Sequence, residues 1–134
     1  MPLGTAERDN TVSVILIVED EVFIREIAVM LVEDWGDTVL SASDVEAALV
    51  VLRSPQPIDV LFTDIYLKND VFGGCDLARA AMVLRPNLRV LYTTGNSATE
   101  TLKALFVQGS HFIGKPYTPH QLQDSVEALL AEAA

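Results

Sequence analysis

The feature that most constrains the fold is a strict alternation of short apolar blocks with amphipathic segments along the whole chain. The apolar blocks are rich in β-branched residues, which is typical of strands covered on both faces. The segments between them repeat apolar residues at helical spacing. Five strand–helix pairs in this order predict an α/β domain with a parallel sheet and helices on both faces.

The boundaries of these elements follow from the apolar blocks and from residues that begin or end helices. The strands are predicted at residues 12–18, 38–40, 58–63, 88–93 and 112–113. The helices are predicted at residues 20–33, 43–53, 75–84, 97–109 and from 118 onward. Their expected N-terminal caps, whose side-chain oxygens accept free backbone N–H groups, are Asp20, Ser43, Ser97 and Thr118. Residues 1–10 are predicted to form a flexible tail and residues 11–134 a single domain.

The acidic composition narrows the classes of function. The 134 residues carry 9 Lys and Arg against 19 Asp and Glu, a net charge of −10. Such a chain is a poor ligand for nucleic acid or an anionic membrane surface, because phosphate contacts need clustered basic side chains. Its single cysteine, Cys75, excludes an intrachain disulfide. The start does not resemble a leader and no apolar run could span a bilayer, so we expect a cytoplasmic protein.

Acidic side chains follow two of the predicted strands. Glu19 and Asp20 come directly after the first strand, and Asp64 comes after the third. Ligands of open parallel sheets bind outside the carboxyl ends of the strands, so these three carboxylates are expected to converge on one crevice. Like charges that close repel one another, so a cation is needed among them, and oxygen ligands suit Mg²⁺.

Groups suited to a phosphoryl oxygen follow the other strand ends. Lys115, after the fifth strand, and Thr94, at the end of the fourth, supply a cation and a hydroxyl donor. Backbone N–H groups near Tyr66 and Gly95 add further donors, and a glycine lets the chain approach a ligand closely. Together with the carboxylates, these groups indicate phosphoryl transfer to a carboxylate nucleophile.

Four motifs at these strand ends carry a resemblance to a known family. They are VILIVEDE at 14–21, LFTDIYL at 61–67, VLYTTGN at 90–96 and GKPYT at 114–118. Each motif alone is weak, but the four in this order and spacing resemble the receiver domains of two-component response regulators, over residues 12–131. The resemblance implies a flavodoxin-like (βα)5 fold, with a five-stranded parallel sheet in the order 2-1-3-4-5.

The resemblance also implies which residues bind the phosphoryl group and the metal. Asp64 is then the phosphoacceptor. The cofactor is Mg²⁺, and its ligands are the side chains of Glu19, Asp20 and Asp64 and the backbone carbonyl of Tyr66.

A second set of roles concerns the bound phosphoryl group and the response to it. By the resemblance, Thr94 and Lys115 hold the phosphoryl group with their side chains, and Tyr66 and Gly95 with their backbone. Phe112 matches the switch aromatic of the family, which turns inward when Thr94 is drawn to the phosphate.

The partners implied by the resemblance are proteins. A histidine kinase or histidine phosphotransferase supplies the phosphoryl group, and a downstream protein binds the face formed by the fourth helix, fifth strand and fifth helix. The chain is expected to be a monomer or weak dimer and a phosphoacceptor rather than an enzyme. Its self-catalysed steps would be phosphotransfer and autodephosphorylation. A length of 134 residues leaves no room for an output domain, so we expect a stand-alone receiver whose output is a protein contact.

One position departs from the pattern of the family. Most receivers have proline four residues after the phosphoacceptor, where this chain has Lys68. The loop KNDVFG at 68–73 also looks about one residue longer than usual. We therefore expect the loop after Asp64 to differ in shape or mobility.

Two helical segments carry more apolar residues than one buried stripe needs. The first helix has one stripe of Phe23, Ile27 and Met30 beside another of Ile24, Ala28, Leu31 and Trp35. We interpret the pair as a wide buried face; the alternative is a docking surface for a kinase helix. In the fourth helix, Leu105, Phe106 and Val107 cannot all point inward, so part of this set is expected to feed a partner surface.

Other classes of function remain as alternatives. An aspartate-nucleophile phosphatase commonly needs a second aspartate two residues after the nucleophile, where this chain has Tyr66. A flavin-binding electron carrier needs a phosphate loop after the first strand, where the acidic residues 19–21 would repel the phosphate. A receiver excised from a hybrid histidine kinase, and a phosphorylation-independent interaction module on the same fold, both stay open.

Overall fold

The computed structural model describes residues 12–68 and 70–132. The tail expected at residues 1–10 lies outside the described residues, and so does Asn69 in the loop after Asp64.

The five apolar blocks form the five strands of one parallel sheet. These are β1 (Val14–Val18), β2 (Thr38–Ala42), β3 (Val60–Asp64), β4 (Arg89–Thr94) and β5 (His111–Gly114). Their order is β2-β1-β3-β4-β5, and every pair of neighbours is parallel. The predicted flavodoxin-like strand order is therefore confirmed.

Helices follow each strand and cover both faces of the sheet. They are α1 (Val22–Asp34), α2 (Val45–Arg53), α3 (Gly73–Leu84), α4 (Glu100–Lys103) and α5 (Pro119–Glu132). α1 and α5 share a core with one face, and α2 and α3 share a core with the other. In the described part of the chain, no helix is both long and apolar enough to cross a membrane.

The alternation of side chains along β1 explains how one strand serves both cores. Ile15 and Ile17 pack with α1 and α5, whereas Leu16 and Val18 pack with α2 and α3. All four are at most 1% exposed. A fully buried side chain of this size contributes about 1.5–3 kcal/mol, so a strand buried on both faces must be apolar throughout.

Three of the four predicted helix caps are wrong by a short step along the chain. The caps of α2 and α4 are Asp44 and Thr99, whose side chains accept from the N–H groups of Ala47 and Leu102, rather than Ser43 and Ser97. α2 begins at Val45 and buries Ala48 and Leu52, so the residue that caps it is Asp44. Glu21 rather than Asp20 precedes α1, without a side-chain cap bond.

The cap of the last helix is confirmed. The Thr118 hydroxyl accepts from the N–H of Gln121 at 3.1 Å, and the Gln121 side chain accepts from the N–H of Thr118 at 2.8 Å. This reciprocal pair satisfies two backbone donors at the start of α5.

The fourth helix is much shorter than predicted. It ends at Lys103, and residues 105–107 continue as an irregular segment. Leu105, Phe106 and Val107 all pack against the core on the α2–α3 side, which consecutive residues of one helix could not do. Leaving the helix therefore lets all three contact the core while each stays partly exposed, and the expectation that part of this set feeds a partner surface stays a prediction.

A glycine at the start of α3 lets that helix approach the end of β3. A Cβ atom added at Gly74 would lie 2.0 Å from the carbonyl oxygen of Asp64 and 2.8 Å from the Cα of Ile65. The Gly74 N–H also donates to the Ile65 carbonyl at 3.0 Å. The position of Asp64 thus depends on the absence of a side chain at residue 74.

We expect Gly74→Ala to lower the free energy of unfolding by about 3 kcal/mol or more, because α3 or the end of β3 must move. The matched control is Gly114→Ala, since a Cβ there meets no atom within 4 Å. Its effect should stay within about 0.5 kcal/mol. Urea denaturation measures both values, and equal midpoints for the two variants would contradict this account.

Candidate functional site

The candidate site lies at the carboxyl edge of the sheet, where four strands end. Glu19 follows β1, Asp64 is the last residue of β3, Thr94 is the last residue of β4, and Lys115 follows β5. Because the strands are parallel, all these residues reach the same edge. The structure therefore brings together side chains that the sequence separates by up to 96 positions.

The ammonium group of Lys115 bridges two carboxylates at the centre of the site. Its Nζ lies 2.6 Å from Oε1 of Glu19 and 2.8 Å from Oδ2 of Asp64. Burial alone lowers the pKa of a lysine, but the hydrogen bonds to Asp64 and Glu19 outweigh it and raise the pKa of Lys115 above 10.5. The lysine is thus held in its charged form.

Glu19 is a buried acid supported by several donors. Burial raises its pKa above the ordinary value, against the opposing effects of Lys115 and of the backbone N–H of Glu21, which donates to Oε2 at 3.1 Å. The Arg25 guanidinium donates to the Glu19 carbonyl oxygen at 2.8 Å. Sequence reasoning missed Arg25. The signal was a basic residue near the start of a helix, where the dipole disfavours a cation.

Asp64 has both carboxylate oxygens engaged. Oδ2 accepts from Lys115, and Oδ1 accepts from the backbone N–H of Tyr66 at 3.2 Å. The Tyr66 N–H, predicted as a phosphoryl donor, is thus bonded to the carboxylate of Asp64. The Tyr66 ring packs against Phe72, with ring centroids 5.9 Å apart.

Three carboxylates at this edge fit a divalent cation. Glu19, Asp20 and Asp64 each offer one oxygen, and these oxygens lie within 4.8 Å of one another. One ammonium against three carboxylates leaves the group with excess negative charge, and oxygen donors in small number are what Mg²⁺ accepts. The side chains predicted as metal ligands therefore do converge.

Asp20 is tied to the loop after β3. Its Oδ2 accepts from the backbone N–H of Lys68 at 2.8 Å. The carboxylate predicted to cap α1 therefore bonds elsewhere. Sequence reasoning missed this contact, although the departure from proline at position 68, which gives that residue an N–H, was the available signal.

Thr94 and Gly95 follow Thr93, the residue of β4 that pairs with Asp64 in the sheet. Thr94 is buried, and its Oγ1 accepts from the N–H of Asn96 at 3.2 Å. The Thr94 carbonyl accepts from the N–H of Lys115 at 3.0 Å, which connects the two strand ends. Gly95 is exposed, and no atom lies within 4 Å of where its Cβ would be, so this position is open to a ligand.

Phe112 lies in a row of aromatic rings behind the site. Its ring stacks on Phe106 with centroids 6.2 Å apart, and Phe106 stacks on Tyr92 at 4.2 Å. The Tyr92 hydroxyl accepts from the N–H of Val107, and burial raises the pKa of Tyr92 to about 12. Phe112 itself is half-buried, and sequence reasoning did not identify Phe106 as its neighbour.

The wide buried face expected on α1 is wrong. Phe23 is 82% exposed, Ile27 57% and Met30 66%. α1 faces the sheet through the buried residues Ala28 and Val32, which turns this stripe toward solvent. Phe23, Ile27 and Met30 form an exposed apolar strip on this helix, the α1 stripe.

Next to the α1 stripe is an apolar groove that reaches the site. Its volume is about 400 Å³, and it is lined by Ile24, Ile27, Leu31, Lys115, Pro116, Tyr117 and Pro119. Lys115 thus lines this groove and also contacts Asp64.

Comparison with known proteins places this geometry in a family. The model of the response regulator receiver domain matches residues 15–127. A receiver protein structure from Sinorhizobium medicae is 28% identical with a TM-score of 0.84, and the alignment covers 92% of this chain and 98% of that one. A receiver domain structure from Methanospirillum hungatei, at 23% identity and a TM-score of 0.81, has the same fold.

Relatives known by sequence are longer proteins. The nitrogen assimilation regulatory protein NtrX of Azorhizobium caulinodans is 30% identical over 109 residues, which are 81% of this chain and 24% of that protein. A probable transcriptional regulatory protein of Picosynechococcus is 30% identical over 90% of this chain and 50% of its own length. The chain thus spans half or less of these relatives. With the family model matched over most of its length, the chain belongs to the response regulator receiver domain family of two-component systems.

Proposed function

We propose that this receiver is a phosphoacceptor signalling module in which Asp64 takes a phosphoryl group from a phosphohistidine on a partner protein, with Mg²⁺. The observation that carries the proposal is the Lys115 ammonium, which lies 2.8 Å from the Asp64 carboxylate beside two further acids. A cation fixed against a carboxylate nucleophile is what transfer of a charged group to that carboxylate requires.

The transfer itself is a simple exchange of bonds. An oxygen of Asp64 attacks phosphorus, the P–N bond to the donor histidine breaks, and its electron pair stays on the imidazole. Lys115 would balance the charge on the transferred group, and the Thr94 hydroxyl and the Gly95 N–H would donate to its oxygens. The Tyr66 N–H keeps Asp64 oriented before the transfer. The protein is a phosphoacceptor in the cytoplasm rather than an enzyme with a separate substrate.

Glu19, Asp20 and Asp64 are the side chains that would hold Mg²⁺, and the backbone carbonyl of Tyr66 would join them. When bound, the metal would neutralise charge on the phosphoryl oxygens.

The response to phosphorylation would pass through Thr94 and Phe112. Movement of Thr94 toward the phosphoryl group opens space beside β5, and Phe112 turns into it, away from Phe106. The face formed by α4, β5 and α5 then changes shape and binds a downstream protein. The stacked rings of Phe106 and Tyr92 support this proposal, because they give Phe112 a defined partner to leave.

The phosphodonor would dock on the α1 stripe and the adjoining groove. A donor histidine must come within bonding distance of Asp64, so the protein that carries it covers the surface around Lys115. That surface is apolar on the α1 side, which suits an apolar helix flanking the histidine. Of the two interpretations of α1 drawn from the sequence, a wide buried face and a docking surface for a kinase helix, we therefore adopt the docking surface.

Phosphorylation with a small phosphodonor and Mg²⁺ should add one phosphoryl group to the chain. Asp64→Asn should abolish the addition, and chelation of the metal should slow it by about tenfold or more. Asp70→Asn is the matched control, because Asp70 is an exposed acid six positions along the same loop. Intact-mass measurement checks all three.

Two outcomes would contradict the proposal. The first is an unmodified chain under conditions that phosphorylate other receivers, and the second is equal modification of Asp64→Asn and Asp70→Asn. The same sample tests the switch, since the aromatic NMR signals of Phe112 and Phe106 should change on phosphorylation and stay unchanged in Asp64→Asn.

A charge in the α1 stripe should separate donor docking from chemistry. We expect Ile27→Glu to slow phosphotransfer from phosphorylated histidine proteins of its own cells by about tenfold or more, with little effect on the small phosphodonor. Val50→Glu is the control, because Val50 is 69% exposed on α2 across the sheet. Equal rates for the two variants with the histidine donors would refute docking on α1.

A further inference from the structure

We infer that the backbone N–H of Lys68 is a positioning group of the metal site, which holds the Asp20 carboxylate beside Glu19 and Asp64 and couples the position of the Lys68 backbone to cation binding. The inference rests on the proposed function, because it assigns Asp20 a metal to bind. It adds a residue that contacts neither the metal nor the phosphoryl group.

The contact is short and joins two distant parts of the chain. The Lys68 nitrogen lies 2.8 Å from Oδ2 of Asp20, across 48 positions of sequence. A hydrogen bond from an N–H to an ionised carboxylate is stronger than one between neutral groups. It connects the segment after β1, which supplies Glu19 and Asp20, with the loop that follows Asp64 at the end of β3.

Backbone hydrogen bonds on both sides of Lys68 fix the direction of this N–H. Leu67 and Asp70 exchange two backbone hydrogen bonds, at 3.2 and 2.9 Å, which close a tight turn around position 68. Leu67 is buried and anchors one side of the turn, while the Gly73 N–H donates to the Asp70 carbonyl at 3.1 Å and anchors the other. The Lys68 side chain is exposed, so the backbone makes the contact.

Asp20 depends on this bond because the central cation serves the other two acids. The Lys115 ammonium contacts Glu19 and Asp64. Asp20, half-buried at the rim, takes its hydrogen bond from Lys68 instead. Hydrogen bonds that orient a ligating carboxylate typically change metal affinity by 10–100-fold. By reciprocity, a bound cation stabilises the hydrogen bond between Lys68 and Asp20 by the same factor.

Two variants of Lys68 isolate the N–H from the ammonium. Lys68→Pro and Lys68→Ala both lose the positive charge, but only proline also lacks the N–H. The two hydrogen bonds between Leu67 and Asp70 put Lys68 at the second position of a turn, where proline is favoured, so the change is compatible with the turn. Calorimetric titration with Mg²⁺ alone, without phosphodonor, should show affinity about tenfold or more weaker in Lys68→Pro than in Lys68→Ala.

Amide hydrogen exchange of the unmodified chain gives a test that needs no variant. Saturating Mg²⁺ should slow exchange at the Lys68 amide, because the cation and the hydrogen bond favour the same arrangement of Asp20. Faster or unchanged exchange would overturn the inference, and so would equal Mg²⁺ affinities of the two variants with circular dichroism spectra like that of the unmodified chain. Absence of Mg²⁺ binding in the unmodified chain would refute the proposed function, and the inference with it.

Discussion

The site depends on one ammonium group shared by two buried carboxylates. Glu19 and Asp64 lie at the end of adjacent strands in a buried crevice, and Lys115 Nζ lies within 2.8 Å of both. Burial raises the pKa of Glu19, so its ionisation costs stability as the pH rises above 4.5. Lys115 offsets that cost. Because the pKa of Lys115 is higher in the folded chain than in the unfolded chain, its charged form stabilises the fold below pH 10.5. That stability is lost as the pH rises through the pKa of the folded chain.

The scaffold serves this interaction by fixing strand ends. Parallel strands in the order β2-β1-β3-β4-β5 place the ends of β1, β3 and β5 near one another, although β4 separates β3 from β5. Lys115 reaches across that gap, and its backbone N–H bonds to the Thr94 carbonyl at the end of β4. The close approach of α3 at Gly74 sets the backbone of Asp64. The positions of Glu19, Asp64 and Lys115 are thus set by the sheet register, the covering helices and the glycine at residue 74.

Sequence reasoning predicted the parts of the molecule that follow from local pattern and topology. Buried strands read as apolar runs, so the residues directly after them, such as Glu19 and Lys115, could be placed at one edge without coordinates. The exposure of Phe23 could not be predicted, because apolar spacing does not say which of two neighbouring stripes meets the sheet. The prediction of where α4 ends was wrong for a related reason. Residues 105–107 leave the helix and contact the core, so tertiary packing overrode helix propensity. The bond from Lys68 to Asp20 depends on a loop shape that only coordinates supply.

The measurement that tests this account most directly is an NMR titration of the Lys115 ammonium, with Asp64→Asn as the comparison. The account predicts that the pKa of Lys115 in the unmodified chain lies above 10.5, because two carboxylates accept its hydrogen bonds, and that it falls in Asp64→Asn, where Glu19 is the one carboxylate of the pair that still accepts a hydrogen bond from it. A pKa of Lys115 at or below 10.5 in the unmodified chain, or one that Asp64→Asn leaves unchanged, would contradict it.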